Sequence, residues 1–539
     1  MCYDDVFWAS FNLLIINEMT LCTFCVVYIL QKSVNFALLK NEVSMGTVLK
    51  YSRRLTREVS FGGVTIGGNR PIAVQSMTNT PTADVERSVA QTESIAAAGA
   101  EIVRLTAQGR KEGEALAPIM EQLKASGCRA AIVADIHFTP EIAMIAAEAV
   151  DKVRINPGNF RTSNGELERL IEICRRRGVA LRIGVNHGSL AKRIFDEYGD
   201  TPEGMVASAM EFLRMCRRAD FNDVVVSMKS SNTRVMVHAY RLLVAAMDRE
   251  GMDYPLHLGV TEAGDGIEGR IKSAVGIGAL LADGIGDTLR VSLTEDPEHE
   301  VPVGRILAEY YTGRSAEFEV RDTAEYNPTH FSPRTNTKPV VHSEITEDYA
   351  VIDATTDNPT HEWRAAILNR TDRRPVVLRR RYVEGDPTLV AIYAAADMGQ
   401  LLIDGLADGV WIDAPAIDRA TINDIELMLL QASRLRFSRT EYIACPSCGR
   451  TLYDIQSTLA EIKARTSHLK DLKIGVMGCI VNGPGEMADA DYGYVGSSPE
   501  HITLYRGREV VERNIHQRDA LDHLIDIIRA DGRWHEPGE

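Results

Sequence analysis

The chain has 539 residues, enough for several domains, and a formal net charge of −15, which argues against a nucleic-acid partner. With 45% hydrophobic and 25% charged residues, its composition is typical of packed globular domains. Its nine cysteines do not resemble a secreted disulfide scaffold, so a reducing cytosol fits best.

Residues 1–44 differ in character from the rest of the chain. The apolar stretch at residues 8–30 is long enough to cross a bilayer, but two asparagines and a glutamate interrupt it. It has neither the basic start of a signal peptide nor the arginine-rich composition of a transit peptide. Since the segment from Met45 has the character of a normal start, we expect residues 1–44 to be an extension outside the fold, with a membrane anchor as the alternative. The missing transit-like leader favours a bacterial cytoplasmic protein.

From residue 71 to residue 293, apolar strand patterns alternate eight times with amphipathic helical patterns. The predicted strands are 72–77, 101–106, 130–136, 152–157, 180–186, 223–229, 255–261 and 287–293. This alternation predicts an α/β fold with an N-terminal (β/α)8 TIM-type barrel over residues 45–311. Active sites of such barrels lie beyond the C-terminal ends of the strands.

Five cations lie in or at the end of otherwise apolar strands: Arg104, Arg154, Arg182, Lys229 and Arg290. For any one of them, an ion pair with a neighbouring carboxylate is the simpler explanation, because a buried cation without a counter-charge is costly. Five that converge on one barrel mouth favour a polyanionic ligand, since the planar fork of arginine suits phosphate oxygens. The glycine-rich stretch 261–270, which precedes a helix, is a candidate phosphate cradle.

Polar side chains join the same rim at the strand ends, and each could also make a hydrogen bond without chemistry. They are Asp135, His137, Asn156, Asn186, Ser227, Thr261, Glu262 and Ser292. Glu262, directly after a strand, is the best candidate for a proton donor or acceptor. We expect the surrounding cations to keep it ionised unless substrate charge raises its pKa.

Two further regions follow the barrel. Residues 312–440 begin with a polar, proline-containing connector and continue as shorter strand and helix patterns, which predicts a partial α/β insert that acts as a spacer or docking domain. Residues 441–539 predict a compact α+β domain with cysteines at its loop edge.

The cysteines of this last domain have the spacing of a metal site. Cys445 and Cys448 are separated by two residues, and Cys479 closes an apolar strand pattern. Thiolates at loop tips behind strands suit an iron–sulfur cluster, and Glu486 offers an oxygen ligand that a substrate could replace. Zinc is the alternative, although it normally takes four Cys or His ligands, and buried thiols without a ligand are the third.

Eight motifs in one order resemble the family of 4-hydroxy-3-methylbut-2-enyl diphosphate synthases of the non-mevalonate isoprenoid pathway. They are VQSMTNTPT, ADIHF, RINPGN, RIGVNHGSL, LGVTEAG, GIGDTLRVSL, ACPSCGR and GCIVNGPGE. The resemblance covers residues 53–311 and extends from residue 441 into the C-terminal region. Longer members of this family, including those of plants, carry an insertion that resembles a second barrel, and residues 312–440 are too few for a complete one.

The resemblance implies reductive ring opening of 2-C-methyl-D-erythritol 2,4-cyclodiphosphate, with loss of water, to 4-hydroxy-3-methylbut-2-enyl diphosphate. It implies a [4Fe–4S] cluster on Cys445, Cys448, Cys479 and Glu486, and single electrons from reduced flavodoxin or ferredoxin. The family's substrate-binding rim maps to Arg104, Arg154, Arg182, Asn186, Lys229, Arg290 and Ser292. Asp135, His137 and Thr261 complete the predicted rim, and Glu262 and Glu486 are the predicted catalytic residues.

In the two-domain form of this family the cluster domain caps the barrel of the partner subunit, so we expect a homodimer. The insert leaves open whether the cap acts on its own barrel or on a partner's. Two other classes of protein remain as alternatives. One is a pterin-binding-type barrel transferase, which would not use the cysteines, and the other is a metal-binding redox sensor, which would leave the barrel cations unexplained.

Overall fold

The structure, a computed structural model, describes residues 47–320, 327–481 and 483–537. The extension predicted at residues 1–44 lies outside this range. In the described residues, no helix combines the length and apolar character needed to cross a membrane.

Three short strands precede the barrel: β1 (Thr47–Lys50), β2 (Val59–Phe61) and β3 (Val64–Ile66). β2 and β3 form an antiparallel hairpin. Phe61 and Ile66 of this hairpin pack against barrel residues such as Ile102 and Val225 in one small apolar core. The hairpin therefore covers the end of the barrel opposite the predicted active face.

Eight parallel strands form the barrel, as predicted. They are β4 (Ala73–Met77), β5 (Ile102–Ala107), β6 (Ala131–Ile136), β7 (Lys152–Ile155), β8 (Ala180–Asn186), β9 (Val224–Lys229), β10 (His257–Leu258) and β11 (Thr288–Leu289). A parallel bridge between Val226 and Leu256 joins β9 to β10 and so closes the sheet on itself. The last two strands are shorter than predicted, because the chain beyond each of them leaves the ladder to form the barrel mouth.

Helices surround the barrel. They are α1 (Val85–Ala97), α2 (Arg110–Ser126), α3 (Pro140–Ala147), α4 (Glu166–Arg177), α5 (Lys192–Tyr198), α6 (Pro202–Arg218), α7 (Thr233–Arg249), α8 (Gly266–Ala282) and α9 (Glu300–Tyr310). Polar side chains start several of them: the carboxylate of Asp84 accepts from the first turn of α1, and the amide oxygen of Asn232 accepts from that of α7. Apart from the short α5, each barrel helix contributes buried apolar residues to one core with the strands.

The insert forms a parallel sheet of four strands with helices. Its elements are β12 (Glu317–Val320), β13 (Val340–Val341), β14 (Ala350–Asp353), α10 (Pro359–Leu368), β15 (Val376–Arg381), α11 (Pro387–Ile403), β16 (Gly409–Asp413) and α12 (Arg419–Ala432). β12 pairs with β1, while the other four strands are ordered β13-β16-β15-β14. The predicted partial α/β character is confirmed. One continuous apolar core extends through both the barrel and the insert.

The C-terminal domain is a five-stranded mixed sheet with helices, as the predicted α+β class requires. It consists of β17 (Glu441–Ala444), α13 (Ile455–Thr466), β18 (Lys473–Met477), α14 (Gly483–Glu486), β19 (Tyr492–Ser498), β20 (His501–Arg506), β21 (Glu509–His516) and α15 (Gln517–Ala530). A parallel bridge between Ala263 and Ala444 joins its first strand to the mouth of the barrel in the same chain. We call this domain the cap.

Candidate active site

The cap and the barrel mouth enclose a cavity with about 700 Å³ of empty space. All residues predicted for substrate binding, catalysis or the cluster line this cavity, except His137. Ser227 lines it as well, whereas Asn156 donates from Nδ2 to Ser189 Oγ at 3.0 Å on the rim. The fold therefore collects on one cavity side chains as far apart in the sequence as Asn186 and Glu486.

Two of the five barrel cations have a carboxylate partner within hydrogen-bond distance. Arg154 Nη1 lies 2.9 Å from Asp135 Oδ1, and its Nη2 donates to Asn186 Oδ1 at 2.9 Å. Arg290 makes a bidentate pair with Glu300, with N–O distances of 2.9 and 2.8 Å. Both pairs are buried. For these two arginines the simpler explanation, an intramolecular ion pair, accounts for the charge.

Arg182 and Lys229 are different. Within the described residues, no carboxylate oxygen lies within 4.0 Å of either cation, and Arg182 Nε and Nη1 have no hydrogen-bond partner. Burial and neighbouring cations lower the pKa of both groups well below its usual range. Arg104, 3.7 Å from the already paired Asp135, has its pKa lowered to about 10, chiefly by burial. These three side chains give the cavity an excess of positive charge that an anionic ligand would neutralise.

Three thiols and one carboxylate line the cap side of the cavity. Cys445, Cys448 and Cys479 are free, and the backbone N–H of Gly478 donates to Cys445 Sγ at 3.4 Å. Burial raises the pKa of Cys445, and the other two cysteines raise it further; burial likewise raises the pKa of Cys479, with a contribution from Glu486. The three thiols and the Glu486 carboxylate are thus close enough to influence one another's pKa. Soft sulfur donors arranged around a cavity suit a cluster of several irons, and their protons would leave when metal binds.

A single metal ion needs donors that converge on one point. In residues 47–320, 327–481 and 483–537, no three His, Cys, Asp or Glu side chains converge closely enough to hold one metal ion. Tetrahedral zinc requires its donors within about 2.0–2.3 Å of one point.

Glu262 and Glu486 meet across the seam between barrel and cap. Glu486 lies close enough to affect the pKa of Glu262, and Asn186 Nδ2 donates to Glu486 Oε1 at 2.9 Å. Burial and the nearby Glu486 raise the pKa of Glu262 well above its ordinary value. Lys229 acts in the opposite direction and lowers this pKa, so burial works against the predicted ionisation of Glu262 while the cation favours it.

The backbone at Glu262 is strained. Its φ of +50° lies in the left-handed region, which is costly for a residue with a side chain. Glu262 Oε2 is buried and makes no hydrogen bond. The strained turn therefore places this carboxyl group, with one oxygen that makes no hydrogen bond, against the cavity.

The predicted phosphate cradle at residues 261–270 is wrong. The N–H of Gly266, the first residue of α8, donates to Glu295 Oε1 at 2.8 Å, and Arg270 holds the same carboxylate. Asp265 forms an ion pair with Lys463 of the cap. A carboxylate of the protein thus already occupies this helix start, and the helix does not line the cavity.

Sequence reasoning missed two residues that organise the site. Arg450 donates from Nε to Cys448 Sγ at 3.2 Å and from Nη1 to His137 Nε2 at 2.6 Å. Its position two residues after the C-x-x-C pair was a usable signal. Glu300, the partner of Arg290, gave none, because only the fold brings the first residue of α9 under the rim.

Comparison with known proteins assigns the chain to a family. Residues 56–305 match the GcpE TIM-barrel domain, and residues 441–530 match the GcpE protein C-terminal domain. A 4-hydroxy-3-methylbut-2-en-1-yl diphosphate synthase (flavodoxin) of Bacteroides fragilis is 42% identical over 91% of this chain and 97% of its own length. The chain belongs to the GcpE family.

Two other GcpE relatives agree. Synthases of the same name from Porphyromonas gingivalis and Akkermansia muciniphila are 45% and 42% identical, over 90% of this chain and 99% and 98% of their own lengths. The family resemblance read from the eight motifs is confirmed. The alignment with the Bacteroides relative spans 610 residues, more than the 539 of this chain, so that relative contains residues with no counterpart here.

Proposed function

We propose that this GcpE-family chain reduces 2-C-methyl-D-erythritol 2,4-cyclodiphosphate to 4-hydroxy-3-methylbut-2-enyl diphosphate. In this reaction two electrons enter, the ring C–O bond to the diphosphate opens, and one hydroxyl leaves as water. One observation carries the proposal: unpaired barrel cations and the cysteines of the cap line the same cavity. A pterin-binding transferase would not use the cysteines of the cap, and a redox sensor would not use the barrel cations.

The barrel cations bind the substrate. Arg182 and Lys229 have no carboxylate partner and Arg104 shares Asp135 with Arg154, so the diphosphate is the counter-ion for this excess of positive charge. Arg154 and Arg290 are held rigidly by Asp135 and Glu300 and therefore present the remaining N–H groups in a fixed geometry. Thr261 and Ser292 offer hydroxyl groups at the same wall.

Cys445, Cys448, Cys479 and Glu486 would hold a [4Fe–4S] cluster on the cap side of the cavity. When bound, such a cluster supplies single electrons and a Lewis-acidic iron next to the substrate. Asn186, from the barrel, orients Glu486 through its Nδ2 hydrogen bond and so links the ligand set to the substrate rim.

Glu262 supplies the proton for the departing hydroxyl. Burial and Glu486 raise its pKa, which favours the protonated form, and its Oε2 has no hydrogen-bond partner beside the cavity that the substrate would occupy. The closed cap keeps bulk water from the reacting bond.

Electrons come from reduced flavodoxin or ferredoxin, and we place the reaction in the bacterial cytoplasm. The relatives' names specify flavodoxin. A homodimer stays a prediction that sedimentation velocity would test. Because the cap covers the barrel of its own chain, we expect activity per chain to be independent of dimerisation.

The deciding experiment measures iron, sulfide and zinc in protein purified without oxygen, and then turnover of the cyclodiphosphate with reduced flavodoxin. We expect about four irons and four sulfides per chain, as a [4Fe–4S] cluster requires. Cys479→Ser should lose the cluster and the activity, whereas Cys174→Ser, a buried thiol of α4 far from the cap, should keep both. Stoichiometric zinc without sulfide would overturn the proposal.

A further inference from the structure

Arg450 lies between the cysteines of the cap and the rim of the barrel. Its Nε donates to Cys448 Sγ at 3.2 Å, and its Nη1 donates to His137 Nε2 at 2.6 Å. A guanidinium has only donors, so His137 Nε2 acts as the acceptor, which puts the ring proton on Nδ1. Asp135, two residues before His137, attracts the same guanidinium.

We propose that Arg450 is a positioning residue that raises the reduction potential of the cluster, and that His137 holds it in place when the cap is closed on the barrel. This inference rests on the proposed function, because it requires the cysteines to bind a cluster. It assigns to His137 a role that differs from direct substrate contact, in agreement with its position outside the cavity lining.

The effect on the potential follows from charge. Hydrogen bonds to ligand sulfur and the net charge around a cluster set its potential. Reduction adds one negative charge to a centre that three thiolates and one carboxylate already make anionic, so an adjacent cation stabilises the reduced state. In the described ranges of the chain, Arg450 is the only side-chain cation that donates to a cysteine of the site.

The contact with the barrel makes this effect depend on closure. Arg450 belongs to the cap loop that follows Cys448, whereas His137 follows barrel strand β6. If the cap opens, the guanidinium loses His137 and the attraction of Asp135, and is free to turn away from the sulfur. The cluster is therefore easiest to reduce when barrel and cap are together, which is also when substrate is enclosed.

The test is a redox titration of cluster-loaded full-length protein, followed by electron paramagnetic resonance, with iron and sulfide measured for each variant. At the midpoint potential of the wild type, Arg450→Gln should lower the ratio of reduced to oxidised cluster about tenfold, which is 59 mV for one electron. Arg450→Lys should lower it less, because lysine keeps the charge but its single nitrogen cannot reach both Cys448 and His137.

Arg508→Gln is the matched control. Arg508 also joins the cap to the barrel, by an ion pair of 2.7 Å with Asp200, but it does not contact a cysteine. Its loss should leave the midpoint potential of the cluster unchanged. This result would separate the effect of joining cap and barrel from a direct effect on the potential.

Two results would overturn the inference. One is an Arg450→Gln protein with a full cluster and a ratio within about twofold of the wild type. If that variant does not retain iron, Arg450→Lys decides, and a wild-type midpoint in a loaded Arg450→Lys protein counts against the proposal. A wild type that takes up no cluster would instead refute the proposed function itself.

Discussion

The interface between barrel and insert is apolar and closely packed, whereas the interface between barrel and cap is polar. Against the insert it packs helix on helix: α8 and α11 approach so closely that a Cβ on Gly278 would lie 2.8 Å from Ala396 Cα, and one on Gly399 would lie 3.1 Å from Val275 Cα. Tyr311 donates to the carbonyls of both helices, Gly278 and Ala396, at 2.9 and 2.8 Å. Against the cap it makes polar contacts around a cavity, among them Asn232 Nδ2 to Asp489 at 3.0 Å.

This difference indicates which part of the molecule can move. A continuous apolar core resists separation, because every opening exposes apolar surface to water. Polar contacts can be exchanged for water at small net cost. We therefore expect insert and barrel to behave as one body and the cap to open and close over the site.

Glu441 should give the largest effect, because barrel, insert and cap all meet at this residue. It is buried, and it pairs with Lys272 of α8 at 3.0 Å and with Arg434, which follows α12. Replacing it by glutamine leaves the buried Lys272 without a carboxylate partner and Arg434 with only the more distant Asp489, at 3.5 Å. We expect Glu441→Gln to reduce the free energy of unfolding by about 3–5 kcal/mol in denaturant titrations.

The same residue predicts a pH dependence. Burial alone would raise the pKa of Glu441, but Lys272 and Arg434 lower it to about 2. A carboxyl whose folded pKa lies below its unfolded value of about 4.3 stabilises the protein above that value. This contribution should be lost as the pH falls from about 4.3 to about 2, and Glu441→Gln should not show it. Glu268→Gln, a partly exposed neighbour with ion-pair distances of 3.6 Å, is the control and should cost under about 1 kcal/mol.

Substitution of Lys229 tests whether the polar interface between barrel and cap serves to bind an anion. Lys229→Met removes an unpaired buried cation, so the melting temperature should not fall. Activity should fall, because one charged hydrogen bond to the ligand is worth about 1.5–3 kcal/mol, or about 10- to 100-fold in kcat/KM. Arg290→Met should instead destabilise the fold, since it leaves Glu300 buried and unpaired. A Lys229→Met protein that unfolds more easily than wild type would show that the cation has a structural partner.

Substitution of Gly278 tests the apolar interface between barrel and insert. Gly278→Val forces a side chain against the backbone of α11 and should cost about 1–3 kcal/mol in thermal unfolding. Because neither α8 nor α11 lines the cavity, kcat/KM of the folded protein should not change. Gly385→Val is the control, since its nearest neighbour is 4.0 Å away. A loss of activity at full stability would mean that the insert influences the site.

The sequence allowed prediction of what depends on local pattern. Apolar strand patterns that alternate with amphipathic helical patterns predicted all eight strands. Cations at the strand ends predicted the cavity, because parallel strands in a barrel end at one rim. Partners distant in the sequence could not be predicted: nothing near Arg290 indicates Glu300, and the helix start at Gly266 resembled an anion site until the fold supplied Glu295. The raised pKa of Glu262 depends on burial by the cap, which local sequence does not encode.

Arg508 should give the smallest effect, and it tests the cap contacts one at a time. Its ion pair with Asp200 joins β20–β21 of the cap to the barrel, but half of the arginine side chain is exposed, so solvent screens the interaction. Arg508→Gln should cost under about 1 kcal/mol in thermal unfolding, and this small cost should vanish in high salt. Hydrogen exchange of the barrel and insert amides should match the wild type, while exchange in the cap should be equal or slightly faster. A loss of several kcal/mol would mean that barrel and cap unfold as one unit, so that the contrast between the two interfaces would not hold.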